Sequence, residues 1–197
     1  MLHDLARKRA HLQDAVAEEF RNARDGNPRA QQKMAARMLA AGAAQVKLEP
    51  GKRGRYSLFF YEWAGWDPIR DQAICVGDPI PEKPWIAWHL TLIDSYGRGR
   101  LDVTSVPALL ITHHALSRTA QRLGLRTDKH LLVTAGTIWN AAAGLINRQK
   151  GAWVEPPAQG WRAPLETVDG DAAVVVLKRH ESRKALVAAT VFNGDKA

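Results

Sequence analysis

The 197-residue chain carries 28 Lys and Arg against 20 Asp and Glu, a formal net charge of +8 and a pI near 9.9, with a hydrophobic fraction of 46% and seven Trp. That composition belongs to a globular chain and excludes a disordered one; no apolar run approaches the roughly 20 residues a membrane helix needs, so no membrane partner is expected. Cys75 is the single cysteine, which excludes a disulfide framework or a Cys-based metal site built within one chain.

Cys75 in Ala-Ile-Cys-Val reads as a small buried hydrophobe. The first nine residues hold no apolar core or small-residue cleavage site, so with the lone thiol a cytoplasmic location is expected. A positive surplus attracts phosphate backbones without reading their sequence. RNA or another polyanion is the expected partner, with an inhibitory protein as a second.

In chain order, Leu5, Leu12, Val16 and Phe20 recur at near-helical spacing and predict a helix from Leu2 to Ala23. Asp25-Gly-Asn-Pro28 breaks it, and Pro28 suits the first turn of a second helix that runs through Met34 and Met38 and ends at Gly42. Residues 1–44 are therefore read as a helical hairpin. The Arg7-Lys-Arg9 cluster on its first helix is a solvated face or a nucleic-acid contact.

The period changes near Gln45. Val46 and Leu48 alternate with polar residues, Gly51–Gly54 is a basic turn bearing Lys52 and Arg53, and Tyr56–Trp63 is an aromatic strand, which together predict a hairpin. Residues 64–84, with Pro79, Pro81 and Pro84, read as an irregular connection with one short buried segment near Ala73–Val76. Trp85–Ile93 is the clearest strand, with Ile86, Trp88, Leu90 and Leu92 on one face and Ala87, His89, Thr91 and Ile93 on the other. The turn after it carries Arg98 and Arg100, and Leu101–Val106 is expected to return as a partner strand.

Ala108–Ile111 is short and apolar, like the end of a buried strand. Thr112 is placed to cap a helix from His113 to about Leu123, and Gly124 to stop it. Leu116, Thr119, Ala120 and Leu123 fall on its inner side; His114, Arg118, Gln121 and Arg122 share the other. One imidazole and two guanidiniums on successive turns, with no carboxylate four residues away, suit an anion. A further helix capped by Thr127 or Asp128 runs to about Asn147, with Leu131, Leu132, Ala135, Ile138, Trp139 and Ala142 as its core face. After a loop, where Trp153 and Trp161 are read as aromatics covering an edge, two nearly continuous apolar strands close the chain, Ala172–Arg179 and Ala185–Phe192.

No phosphate-cradling Gly-rich loop, nucleophile elbow or His-Glu-x-x-His motif occurs. His113 and His114 diverge by about 100° on a helix and cannot share a metal, so neither metal nor cofactor is expected.

From Ile111 onward, Ile-Thr-His-His-Ala-Leu-Ser-Arg-Thr-Ala-Gln-Arg-Leu-Gly resembles the helix of small RelE-like and BrnT-like toxin endoribonucleases, which reads Ser or Thr, x, His-Ala, three residues, Arg, three residues, Arg, x, Gly; here two residues, Leu116 and Ser117, separate Ala115 from Arg118. In that family a second helix follows, then strands ending in Thr-Val-aromatic; the counterparts here are Leu131–Asn147, Ala172–Arg179 and Thr190-Val-Phe192. The N-terminal half has no counterpart in the family. The resemblance implies His114, Arg118 and Arg122 as helix-borne site residues and Lys178, Arg179 and Thr190 as strand-borne ones. It also implies a metal-free reaction in which a ribose 2′-hydroxyl attacks the adjacent phosphorus, His114 takes its proton, Arg118 and Arg122 stabilise the phosphorane, and the bond to the 5′-oxygen breaks as an acid protonates that leaving oxygen.

These readings give an α+β fold, an N-terminal helical hairpin followed by a mostly antiparallel sheet with two packed helices, over residues 1–44 and 45–197. The expected function is a metal-independent endoribonuclease of toxin type, with His114, Arg118, Arg122 and Thr190 catalytic and Lys52, Arg53, Arg98, Arg100, Lys178 and Arg179 holding the nucleic acid. The alternative is a non-catalytic nucleic-acid-binding or partner-binding protein using the same basic surface.

Overall fold

A computed structural model describes residues 2–23, 27–51, 55–96, 100–124, 131–148, 156–165 and 173–193. The fold is α+β, with helices α1 (Leu2–Ala23) and α2 (Pro28–Ala40) preceding strands β1 (Ala44–Pro50), β2 (Tyr56–Asp67), β3 (Gln72–Ala73), β4 (Trp85–Ser95) and β5 (Leu101–Ile111). Helices α3 (His113–Arg122) and α4 (Leu131–Arg148) follow, then β6 (Trp161–Leu165), β7 (Ala173–Arg179) and β8 (Leu186–Asn193).

Among the described residues the sheet order is β1-β2-β4-β5-β8-β7-β6, with β3 beside the end of β2. All neighbours are antiparallel except β5 and β8, which run parallel over Leu109–Ile111 and Leu186–Ala188. The chain reaches β8 from β5 through α3, α4 and the β6–β7 hairpin, the long route a parallel pair requires.

The two faces of the sheet carry different cores. Leu12, Val16 and Phe20 of α1 and Met34 and Met38 of α2 pack on Leu58, Phe60 and Ile93. Phe20 and Phe60 are fully buried, and burial of such a side chain contributes about 1.5–3 kcal/mol. Asn27 caps α2, its Oδ1 accepting from Arg29 N–H at 3.0 Å, and Pro28 fits the first turn because its missing N–H has no helical partner there. After α2 the chain turns through Gly42, whose φ of +97° a side chain would strain.

The second core joins Trp88, Leu109 and Ile111 of the central strands to Leu116 of α3 and Ile138 and Trp139 of α4, and continues through Val175, Leu177, Ala188 and Val191. Tyr61, Trp63, Trp88 and Trp139 touch there, with Trp63 and Trp88 centroids 4.0 Å apart in an edge-on arrangement.

Several local expectations need correction. The aromatic strand continues past Trp63 to Asp67, and β3 lies inside the stretch expected to be irregular. Within that stretch Ile74 is buried, but Cys75 is exposed, not a core residue: Asp78 accepts its N–H at 2.8 Å and holds the turn outward. Leu101–Val106 and Ala108–Ile111 are one strand, continuous across Pro107 because a bulge beside Trp88 and His89 absorbs the register shift. Trp161 is a half-buried residue of β6. Trp153, Thr127 and Asp128 lie outside the described residues.

Candidate nucleic-acid interface

Tyr56 opens β2 opposite Ser95, the last residue of β4, so the chain just before β2 and the chain just after β4 meet at one end of the sheet. Arg55 and Tyr96 are those adjoining residues. The Arg55 guanidinium lies 5.3 Å from the Tyr96 ring centre, and that of Arg100 lies 5.9 Å from it. Tyr96 N–H donates to Arg100 O at 3.2 Å, closing the β4–β5 turn onto itself. Two basic turns far apart in sequence thus share one aromatic ring that is 45% exposed. A guanidinium over an exposed ring gains only about 0.5–1 kcal/mol, but the ring limits where each arginine points. Arg100 Nε is also 3.7 Å from Asp102 Oδ1; Arg55 has no carboxylate partner among the described residues. Lys52, Arg53 and Arg98 lie outside the described residues.

At the far end of β5, Thr112 anchors α3. Its hydroxyl oxygen accepts from Ala115 N–H at 3.1 Å as the helix cap, and its proton faces the carbonyls of Ala188 and Ala189 at 3.1 Å each. The helix is therefore fixed at its first turn to β8. Leu116 and Thr119 are buried, while His113, His114, Arg118 and Gln121 are exposed. Arg118 donates to Gln121 Oε1 at 3.4 Å. Arg122 is half-buried, and its Nε has no hydrogen-bond partner among the described residues.

The resemblance asks for α3 and the last strands to be neighbours, and α3 does lie on β8. Thr190 stands directly opposite Val176, which in turn faces Arg162; the strand residues that join α3 in its core are Val175, Leu177, Ala188 and Val191. Since cross-strand partners share a face, Thr190 is turned to the sheet face away from that core. Lys178 and Arg179 are exposed at the end of β7 beside the turn to β8. From Leu101 to Ile111 the ten steps of β5 span about 33 Å, so the Tyr96 cluster and α3 cannot touch one phosphate together.

The Arg7–Arg9 cluster divides. Arg7 and Lys8 are exposed, but Arg9 points inward to Glu62, which is 1% exposed. Glu62 Oε1 accepts from Arg9 Nε at 3.1 Å, Gln13 Nε2 at 2.8 Å and Thr91 Oγ1 at 2.5 Å. Arg9 Nη2 donates to Ser105 Oγ at 2.6 Å, and Ser105 lies 3.0 Å from His89 Nδ1. Burial, then the charges of Arg9 and Arg183, push His89 down to a pKa of about 3, so the ring is neutral.

A second cluster brings Ser182, His180 and Asp71 together. Ser182 Oγ donates to Asp71 Oδ2 at 2.8 Å, Arg183 Nε donates to the same oxygen at 2.9 Å, and His180 Nε2 is 3.6 Å from Oδ1. Burial raises the Asp71 pKa, but Ser182 and Arg183 outweigh it and hold the carboxyl below its usual range. Nucleophilic catalysis needs the hydroxyl proton directed at the imidazole. Here Ser182 Oγ lies 2.8 Å from the carboxylate and 3.4 Å from His180 Nδ1, so the carboxylate is the nearer acceptor of its proton, and the cluster ties the β7–β8 turn to the β2–β3 turn.

Among the described residues no group of three or more His, Cys, Asp or Glu is placed to hold a metal ion, and no helix is long and apolar enough to cross a membrane. No family model matches the chain, and no curated protein or solved structure matches it. Sequence reading marked the basic turns separately and passed over Tyr96. The available signal was that an aromatic between two predicted hairpins would adjoin the turn before the neighbouring strand.

Proposed function

We propose that this chain binds RNA through exposed cations at the two ends of its central strands. The observation that carries the reading is Tyr96, whose ring centre lies 5.3 Å from the Arg55 guanidinium and 5.9 Å from that of Arg100. Guanidiniums serve phosphate as charge and hydrogen-bond donor, and they stack on unpaired bases as a tyrosine ring does. Exposed His114 and Arg118 on α3 would form a second contact, far enough along β5 to meet a different part of the same strand.

Metal-independent cleavage remains a second reading, favoured by exposed His114 lying one turn before Arg118. In it the imidazole accepts the 2′-hydroxyl proton as O2′ bonds to phosphorus, Arg118 offsets the phosphorane charge, and the P–O5′ bond breaks as the leaving 5′-oxygen takes a proton from water or the imidazolium. The experiment is fluorescence anisotropy on labelled single-stranded RNA, with gel analysis of the same samples after incubation in EDTA. Binding with intact RNA supports the first reading, and cut RNA in EDTA the second. No binding at low salt removes both.

A further inference from the structure

The outer strands of the sheet carry the features that keep native edges from pairing with other chains. On β1 these are Lys47, Pro50 and an irregularity between Ala44 and Lys47, where Gln45 has a φ of 52°. On β6 they are Arg162 and Pro164. The first half of β5 has a different character. Over Leu101–Val106 it pairs with β4 on one side, and among the described residues no strand pairs on the other, because β8 meets β5 only at Leu109–Ile111. This stretch, Leu-Asp-Val-Thr-Ser-Val, contains no Lys, Arg, Pro or bulge, and its one charged residue is Asp102, beside Arg100. Val103 is 51% exposed and Val106 45%. Six residues of strand offer about 20 Å of free backbone edge.

We propose that Leu101–Val106 is a self-pairing interface, where a second copy of this chain adds its own β5 antiparallel about a two-fold axis at Thr104. Charge selects the occupant. Two chains of net charge +8 repel wherever their cations face each other, and β5 holds no Lys or Arg along its whole length. The strand is also self-complementary with Thr104 on the axis. Each Thr104 then faces its symmetry mate, Val103 faces Ser105 and Asp102 faces Val106, so no like charges are opposed. Moving the axis to Asp102 would oppose two carboxylates. An isologous contact of this kind closes on itself and leaves no edge for a third copy. It joins two sheets into one and places a Tyr96 turn at either side.

Sedimentation velocity of the full chain across the micromolar range tests this. A concentration-dependent monomer–dimer equilibrium is expected. Thr104→Lys and Thr104→Asp should each be monomeric, with far-ultraviolet circular dichroism and unfolding temperature unchanged, because Thr104 is exposed in the single chain. Mixing the two variants in equal amounts should restore a dimer, since Lys then faces Asp on the axis. A wild-type chain that stays monomeric, a dimer that survives Thr104→Lys, or a mixture that stays monomeric would each overturn the pairing.

Discussion

Arg9 on α1 donates Nε to Glu62 Oε1 on β2 at 3.1 Å, and the two side chains are 13% and 2% exposed. A basic residue in an Arg-Lys-Arg run thereby joins Gln13 in linking the first helix to the sheet through Glu62. Loss of one member of a buried ion pair leaves the other uncompensated, at a cost of about 3–5 kcal/mol. Arg9→Met should lower unfolding stability by about that much in urea titrations. Adding Glu62→Leu should recover most of it, because the stranded charge is then gone. A single variant as stable as wild type would refute the link.

His89 makes stability pH-dependent. Its folded pKa, about 3, lies below the unfolded value, so the unfolded chain binds the extra proton between the two. The contribution is complete above about pH 6.5 and is lost as pH falls towards the folded value, at up to about 1.4 kcal/mol per pH unit. The unfolding temperature should fall from about pH 6.5 to 5, above the range where Asp67, Asp71 and Asp78 begin to contribute. His89→Leu should flatten that segment even if its absolute stability is lower. An unchanged slope would show that His89 is not the titrating group.

Thr112 serves two elements with one hydroxyl. Thr112→Val keeps the shape but removes the cap on α3 and the bond to the Ala188 and Ala189 carbonyls. Its expected cost is about 1–2 kcal/mol in chemical denaturation. Thr112→Ser should restore most of the loss, and a Ser variant as weak as Val would assign the effect to the methyl group.

If RNA is cut, His114→Ala should reduce the rate by about a hundredfold or more while binding persists. His113→Ala, a quarter turn away, should change little. Arg118→Ala should weaken binding and rate together, since a guanidinium serves the ground-state phosphate as well as the transition state. Single-turnover cleavage and anisotropy on the same preparations separate these outcomes.

Much of the fold was written in local periodicity. The spacing of Leu5, Leu12, Val16 and Phe20, the alternation through Trp85–Ile93 and the cap at Thr112 each specify an element from neighbouring residues alone. What sequence could not supply was long-range. The direction of β8 against β5 depends on how α3 and α4 return the chain. The bulge that carries β5 across Pro107 depends on its partner strand. Arg9 looked like surface because nothing near it in sequence indicates Glu62. The candidate site followed the same division: the exposed side of α3 was legible from the helical wheel, whereas Arg55 meets Tyr96 through the β2–β4 register and Arg100 meets it through closure of the β4–β5 turn.

The measurement closest to the central claim is the salt dependence of RNA binding, wild type against Arg55→Ala/Arg100→Ala. Each lost phosphate contact on a single strand should lower the slope of log affinity against log salt by about 0.7. The account predicts weaker binding at every salt concentration and a slope shallower by about 1.4, with the fold unchanged by circular dichroism. A double variant with wild-type affinity and slope would contradict it.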